Sequence, residues 1–222
     1  MSTQTPEPDD LRVPLDAFLD IAVRIPRLHP HPPLDGRLTG WPATALLPDL
    51  SALHDQHGFG RVLAGWSVDG LALAFDVRAS HPLWVDPQYP ARSDGVEIWC
   101  DTRDSRQARR LTPFCHHFRI LPILHQPHVR EVREGDAGQP VPAVRAGVRI
   151  QPGHGYGLEV FLPREALRGY APLESASLGL GYRIRGSRGG LQDLAFGERF
   201  PIWHNPSLWR SVQLEGAGER GA

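Results

Sequence analysis

The 222-residue chain has 24 basic and 25 acidic side chains, a formal charge of -1, with 41% hydrophobic and 22% charged residues. These values exclude a disordered chain and a membrane bundle, and leave no basic stripe able to follow a phosphate backbone, so neither nucleic acid nor membrane is an expected partner. All-β sandwiches reach this length as one unit, and a single domain is expected.

Residues 1–10 are polar and acidic, without the basic start and apolar run of a secretory signal, and no later stretch is apolar enough to span a bilayer. The expected location is therefore cytoplasmic, where Cys100 and Cys115 would be free thiols, although the sequence also permits one disulfide between them. Every basic residue is Arg and none is Lys, which fits the coding composition of the source better than a demand of function.

Along the chain, 23 Gly and 22 Pro separate short apolar runs in the manner of turns between many strands. Residues 1–10 and 215–222 lack apolar periodicity and are expected as flexible tails around a folded unit of 11–214. The first clear element is a hairpin, 62–66 and 71–77 around Asp69-Gly70. In its second arm Leu71, Leu73, Phe75 and Val77 share one face, predicted to point into a core, and Ala72, Ala74, Asp76 and Arg78 share the other. In the next strand Val96, Ile98 and Cys100 alternate with Glu97, Trp99 and Asp101. That alternation makes Cys100 a small buried hydrophobe and the opposite set a polar outer face on which Trp99 shields the sheet. Segments 144–150 and 156–162 form a second hairpin, 163–167 one short helix begun by a proline, and 178–184 and 208–214 further strands. The predicted fold is an all-β antiparallel sandwich with one or two short helices.

Five segments in order carry a family resemblance: Leu34-Asp-Gly-Arg-Leu-Thr-Gly-Trp-Pro42, Ala64-Gly-Trp-Ser-Val-Asp-Gly-Leu71, Ser93-Asp-Gly-Val-Glu-Ile-Trp-Cys-Asp-Thr-Arg-Asp104, Gly155-Tyr-Gly-Leu-Glu-Val-Phe-Leu-Pro163 and Pro206-Ser-Leu-Trp209. In this pattern the chain resembles the family 9 carbohydrate-binding modules within the wider DOMON-like jelly-roll sandwiches. The resemblance implies a non-catalytic domain that holds a sugar between aromatic rings, with polar side chains and sometimes structural calcium nearby. Such modules often sit beside a catalytic domain in secreted enzymes; without a secretion signal or partner domain, this chain looks like a stand-alone intracellular form of the family.

Flat aromatic faces cover the C–H surfaces of sugars, while amides, carboxylates and guanidinium forks satisfy the hydroxyls. Of the six Trp, the resemblance places the ligand platforms at Trp84, in the loop before Asp94-Gly95, and at Trp203, before the last strand. The alternative for this pair is inward folding to cap the sandwich. Trp41, Trp66 and Trp209 are read as packing residues. Asn205 would supply an amide and Arg109 or Arg110 a fork. Glu97 and Asp101 lie about 13 Å apart on a strand, wider than the roughly 5–9.5 Å of a glycosidase pair, so no catalytic residue is assigned and none to a metal. Two other functions compete with sugar binding: a protein-interaction scaffold, and a metal-dependent enzyme built on His116, His117 and His128. The metal reading meets the difficulty that adjacent strand residues point to opposite faces.

Overall fold

The computed structural model describes residues 21–54, 57–133, 138–188, 190–194 and 200–217; the expected tail 1–10 and the start of the domain at residue 11 lie outside them. Among the described residues the strands are β1 (Val23–Ile25), β2 (Gly60–Ser67), β3 (Gly70–Arg78), β4 (Gly95–Asp101), β5 (Cys115–Leu121) and β6 (His128–Glu131). They continue as β7 (Gln139–Pro140), β8 (Arg145–Gln151), β9 (Gly155–Pro163), β10 (Ser177–Arg185), β11 (Leu191–Asp193) and β12 (Arg210–Leu214). An eight-stranded sheet runs β1-β12-β10-β4-β5-β6-β7 with β11 also on β10, and a four-stranded sheet runs β2-β3-β9-β8. This is an all-β sandwich, antiparallel throughout except that β1 pairs parallel to β12.

The turn chemistry and the period-2 patterning build these strands as expected. Ser67 opposes Gly70 across the first hairpin, and Leu71, Leu73, Phe75 and Val77 face the core together with Ile98, Cys100, Phe118 and Ile120 of the other sheet. Phe75 meets Tyr182 edge-on across the two sheets, with ring centroids 6.0 Å apart. The expected helix at 163–167 is a single 3-10 turn, Arg164–Ala166. Three more such turns, Ala43–Ala45, Ser51–His54 and Pro206–Leu208, bring the helical pieces among the described residues above the one or two expected.

Much of the outer face of the four-stranded sheet is covered. Residues 28–46 lie across it, with Leu28 on Ala72 and Phe161, and Ala45 on Leu63 and Ala74. Small residues make the approach possible: a Cβ at Gly147 would strike the Leu34 carbonyl, and one at Gly157 the Gly36 carbonyl. The segment is tied down by Glu159 of β9, which has no exposed surface. Its carboxylate accepts the backbone N–H of Asp35 (3.0 Å) and Gly36 (2.7 Å) and the Trp41 indole N–H (2.8 Å). Two segments of the sequence motif, 34–42 and 155–163, are therefore hydrogen-bonded partners.

The far end of the chain corrects one expectation, that of a flexible tail from residue 215. Glu215 donates its N–H to the Ile25 carbonyl (3.0 Å) and accepts the indole N–H of buried Trp66 (3.1 Å). A buried indole requires an acceptor, and this one docks residues 215–217. Residues 218–222 lie outside the described residues.

Removing the Glu159 carboxylate would strand buried donors on the covering segment. Glu159→Ala is expected to cost about 3 kcal/mol or more, read as a lower urea midpoint, since an orphaned buried donor costs roughly 1–3 kcal/mol. A loss below about 1 kcal/mol would show that the segment is held by its apolar contacts alone.

Candidate functional site

The outer face of the eight-stranded sheet carries a register-aligned row of charge. Asp193 of β11 opposes Arg183 of β10, Arg183 opposes Glu97 of β4, Glu97 opposes Arg119 of β5, and Arg119 opposes Arg130 of β6. Arg183 makes a two-pronged contact with Asp193, Nε to Oδ1 at 2.7 Å and Nη2 to Oδ2 at 2.9 Å. Arg119 Nε donates to Glu97 Oε1 at 2.8 Å, and His117 Nε2 lies 3.5 Å from Glu97 Oε2. Burial pushes the Glu97 carboxyl up, but the contacts with His117 and the charges of Arg119 and Arg185 outweigh it and hold the group well below its ordinary value.

Two residues along each strand and on the same face, Trp99 of β4 stacks on His117 of β5 with centroids 4.7 Å apart, and Arg183 sits 5.9 Å over the Trp99 ring. The expectation of an open polar face at Glu97, Trp99 and Asp101 is corrected here: all three are buried. The cause is tertiary. Ile202 and Trp209 of the segment before β12 pack onto Trp99, and the Trp209 indole N–H closes on the Ile202 carbonyl at 2.7 Å. Asp101 turns to its own loop, accepting the N–H groups of Arg103 (3.0 Å) and Ser105 (2.6 Å).

Trp203 follows buried Ile202 and is itself 46% exposed; Trp84 is 44% exposed. Trp66, Trp99 and Trp209 are fully buried, and Trp41 is half-buried against Glu159, so the packing roles read for Trp41, Trp66 and Trp209 match their positions. The loop holding Arg109 and Arg110 touches the Trp203 segment, through Ser207 N–H to the Ala108 carbonyl (3.1 Å) and between Ser211 and Asp104 (2.5 Å). Both arginines are exposed. Asn205 faces the same junction, but its side-chain oxygen is occupied by Ser207, accepting from N–H at 3.2 Å and from Oγ at 2.7 Å, which leaves only its NH2 for a ligand. Trp84 belongs to a different loop, between β3 and β4, and its N–H donates to Asp94 Oδ2 at 2.6 Å. The structure thus groups Trp203, Asn205, Arg109 and Arg110 at one junction and sets Trp84 on a separate loop.

The histidines do not converge. His116 faces inward and pairs through Nδ1 with Glu131 Oε1 at 2.9 Å, His117 faces outward against Trp99, and His128 Nε2 accepts from Arg130 Nε at 3.0 Å. Among the described residues no group of three His, Cys, Asp or Glu could hold a metal ion. Cys100 lies in the core and Cys115 is one residue out of register on the other face of the sheet, both as free thiols.

No protein-family profile matches the chain, and no curated protein matches it significantly. Solved structures do. A family 9 carbohydrate-binding module from Caldicellulosiruptor kristjanssonii, in complex with glucose, superposes with a TM-score of 0.65 at 17% identity, over 89% of this chain and 98% of the other. The complex with cellotriose gives 0.63 at 16% identity, over 91% and 97%. The chain shares the fold of these modules.

Because the Glu97 carboxyl is held below its ordinary 4.5 in the folded chain, its contribution to stability is present at neutral pH and is lost as pH falls from about 4.5 toward the folded value. Glu97→Gln is therefore expected to be less stable than the parent at pH 7, with the gap in urea midpoint narrowing on acidification to pH 3. A constant gap would show that the carboxylate is not held ionised by its neighbours.

Proposed function

We propose that this protein is a non-catalytic carbohydrate-binding domain whose sugar rests on Trp203 at the outer face of the eight-stranded sheet. The observation that carries the reading is the division among the tryptophans: Trp66, Trp99 and Trp209 are buried and packed, whereas Trp203 projects from a segment anchored through Ile202 and Trp209 to buried Trp99. An exposed ring on an anchored segment offers a flat apolar face at little ordering cost. Arg109, Arg110 and the Asn205 NH2 are the polar groups placed to meet hydroxyls, and Trp84, on a separate loop at the other end of β4, is a second platform that only an extended oligosaccharide would reach together with Trp203. The fold shared with a module seen bound to glucose and cellotriose supports the same reading.

A catalytic role finds no carboxylate pair of suitable spacing on β4, where Glu97 and Asp101 are separated by about 13 Å on strand geometry and both are buried by partners of their own.

Titration calorimetry with glucose and cello-oligosaccharides, with and without calcium, tests the proposal. Trp203→Ala is expected to weaken binding about tenfold or more, which is roughly 1.4 kcal/mol, with an unchanged melting temperature. Trp84→Ala should act in the same direction. Unchanged affinity in both variants, or no sugar binding by the parent, would overturn the assignment.

A further inference from the structure

At the end of the sandwich where β3 and β10 finish and β4 begins, a cavity of about 420 Å³ opens between the two sheets. Arg78 closes β3, Arg185 closes β10, and Arg188 follows in the next loop; all three line the cavity. Among the described residues none of the three makes a direct ion pair, though the charge of Arg185 also acts on Glu97. The one carboxylate lining the cavity, Asp94, is 2% exposed and already engaged: Oδ2 accepts the Trp84 N–H (2.6 Å) and Ser187 Oγ (2.8 Å), and Oδ1 accepts the Ser187 N–H (2.9 Å). It organises the two loops at the mouth, and the three arginines outnumber it around the cavity. Tyr156 also lines the cavity; it is 1% exposed and its hydroxyl has no hydrogen-bond partner among the described residues. A buried hydroxyl without a partner is costly, and a ligand oxygen would satisfy it.

We propose that this cavity binds an oxyanion, the phosphate or carboxylate group of a small molecule, with Arg78, Arg185 and Arg188 supplying the charge and the Tyr156 hydroxyl a donor at its floor. Guanidinium forks suit these planar or tetrahedral oxygens, and three of them, from the end of β3 and from the end of β10 and its following loop, outnumber the lining carboxylate Asp94 around one concavity. Trp84, whose backbone is held by Asp94, stands beside this mouth, so an acidic sugar could engage both. The site does not depend on the sugar reading at Trp203.

The test is calorimetric titration of the full chain with inorganic phosphate, glucose 6-phosphate and glucuronate at constant ionic strength, with glucose as the neutral control. Saturable binding of at least one anion is expected, weakened tenfold or more by the double variant Arg78→Ala, Arg188→Ala, in which both altered side chains are exposed and the fold is retained. Tyr156→Phe, which removes only the hydroxyl, should weaken it as well. Equal affinity for phosphate and glucose 6-phosphate identifies a free-anion site, tighter glucose 6-phosphate a phosphosugar site, and preference for glucuronate a carboxylate site. Absence of saturable binding by all three at about 10 mM, a weak-binding ceiling, or equal affinity in the double variant, overturns the proposal. Trp203→Ala separates the two readings, since it should weaken glucose binding about tenfold or more and leave phosphate binding unchanged.

Discussion

The buried carboxylate of Glu159 decides which surface of this sandwich is left for recognition. A carboxyl group with no exposed surface needs its oxygens hydrogen-bonded, and here three N–H groups of residues 35, 36 and 41 supply those bonds. The segment so held lies over the four-stranded sheet, where Gly147, Gly157, Ala72 and Ala74 are small enough to admit backbone. With much of that face covered, the outer face of the eight-stranded sheet and the ends of the sandwich offer the larger free surfaces.

That second face is built by the same rule on a larger scale. Asp193, Arg183, Glu97 and Arg119 are each costly to remove from water, and alternation of sign across β11, β10, β4 and β5 gives each an opposite neighbour at hydrogen-bond range. The row is a rigid, preorganised base rather than a set of free groups. Trp99 and His117 stack beside it, and the Ile202–Trp209 clasp closes over Trp99, so the segment carrying Trp203 is fixed to strands rather than hanging as a loose loop. Such anchoring lowers the ordering cost of binding.

The two loops bordering this face are held by few contacts. One backbone hydrogen bond, Ser207 to Ala108, and the Ser211–Asp104 contact join the Arg109–Arg110 loop to the Trp203 segment. At the other end Asp94 clasps the β3–β4 loop to the loop after β10 through Trp84 and Ser187. Both clasps are polar and short, and both sit beside exposed cationic side chains, the arrangement expected of surfaces that meet polar ligands.

Local chemistry alone determined the strands and the core. The Asp69-Gly70 turn, the alternation of Leu71, Leu73, Phe75 and Val77, and the burial of Cys100 follow from turn geometry and period-2 patterning, which act between neighbours in the chain. Tertiary structure decided the rest, because the partners are far apart in sequence. Glu97 looks like an exposed strand residue until Arg119 and Arg183 are brought beside it, and Trp99 looks like a solvent-side ring until Ile202 and Trp209 arrive from about a hundred residues away. Asp94 gives no local sign of joining Trp84 to Ser187, nor Tyr156 of lining a cavity ringed by three arginines. Alternation reveals which face a side chain occupies; only the assembled sheets reveal what covers that face.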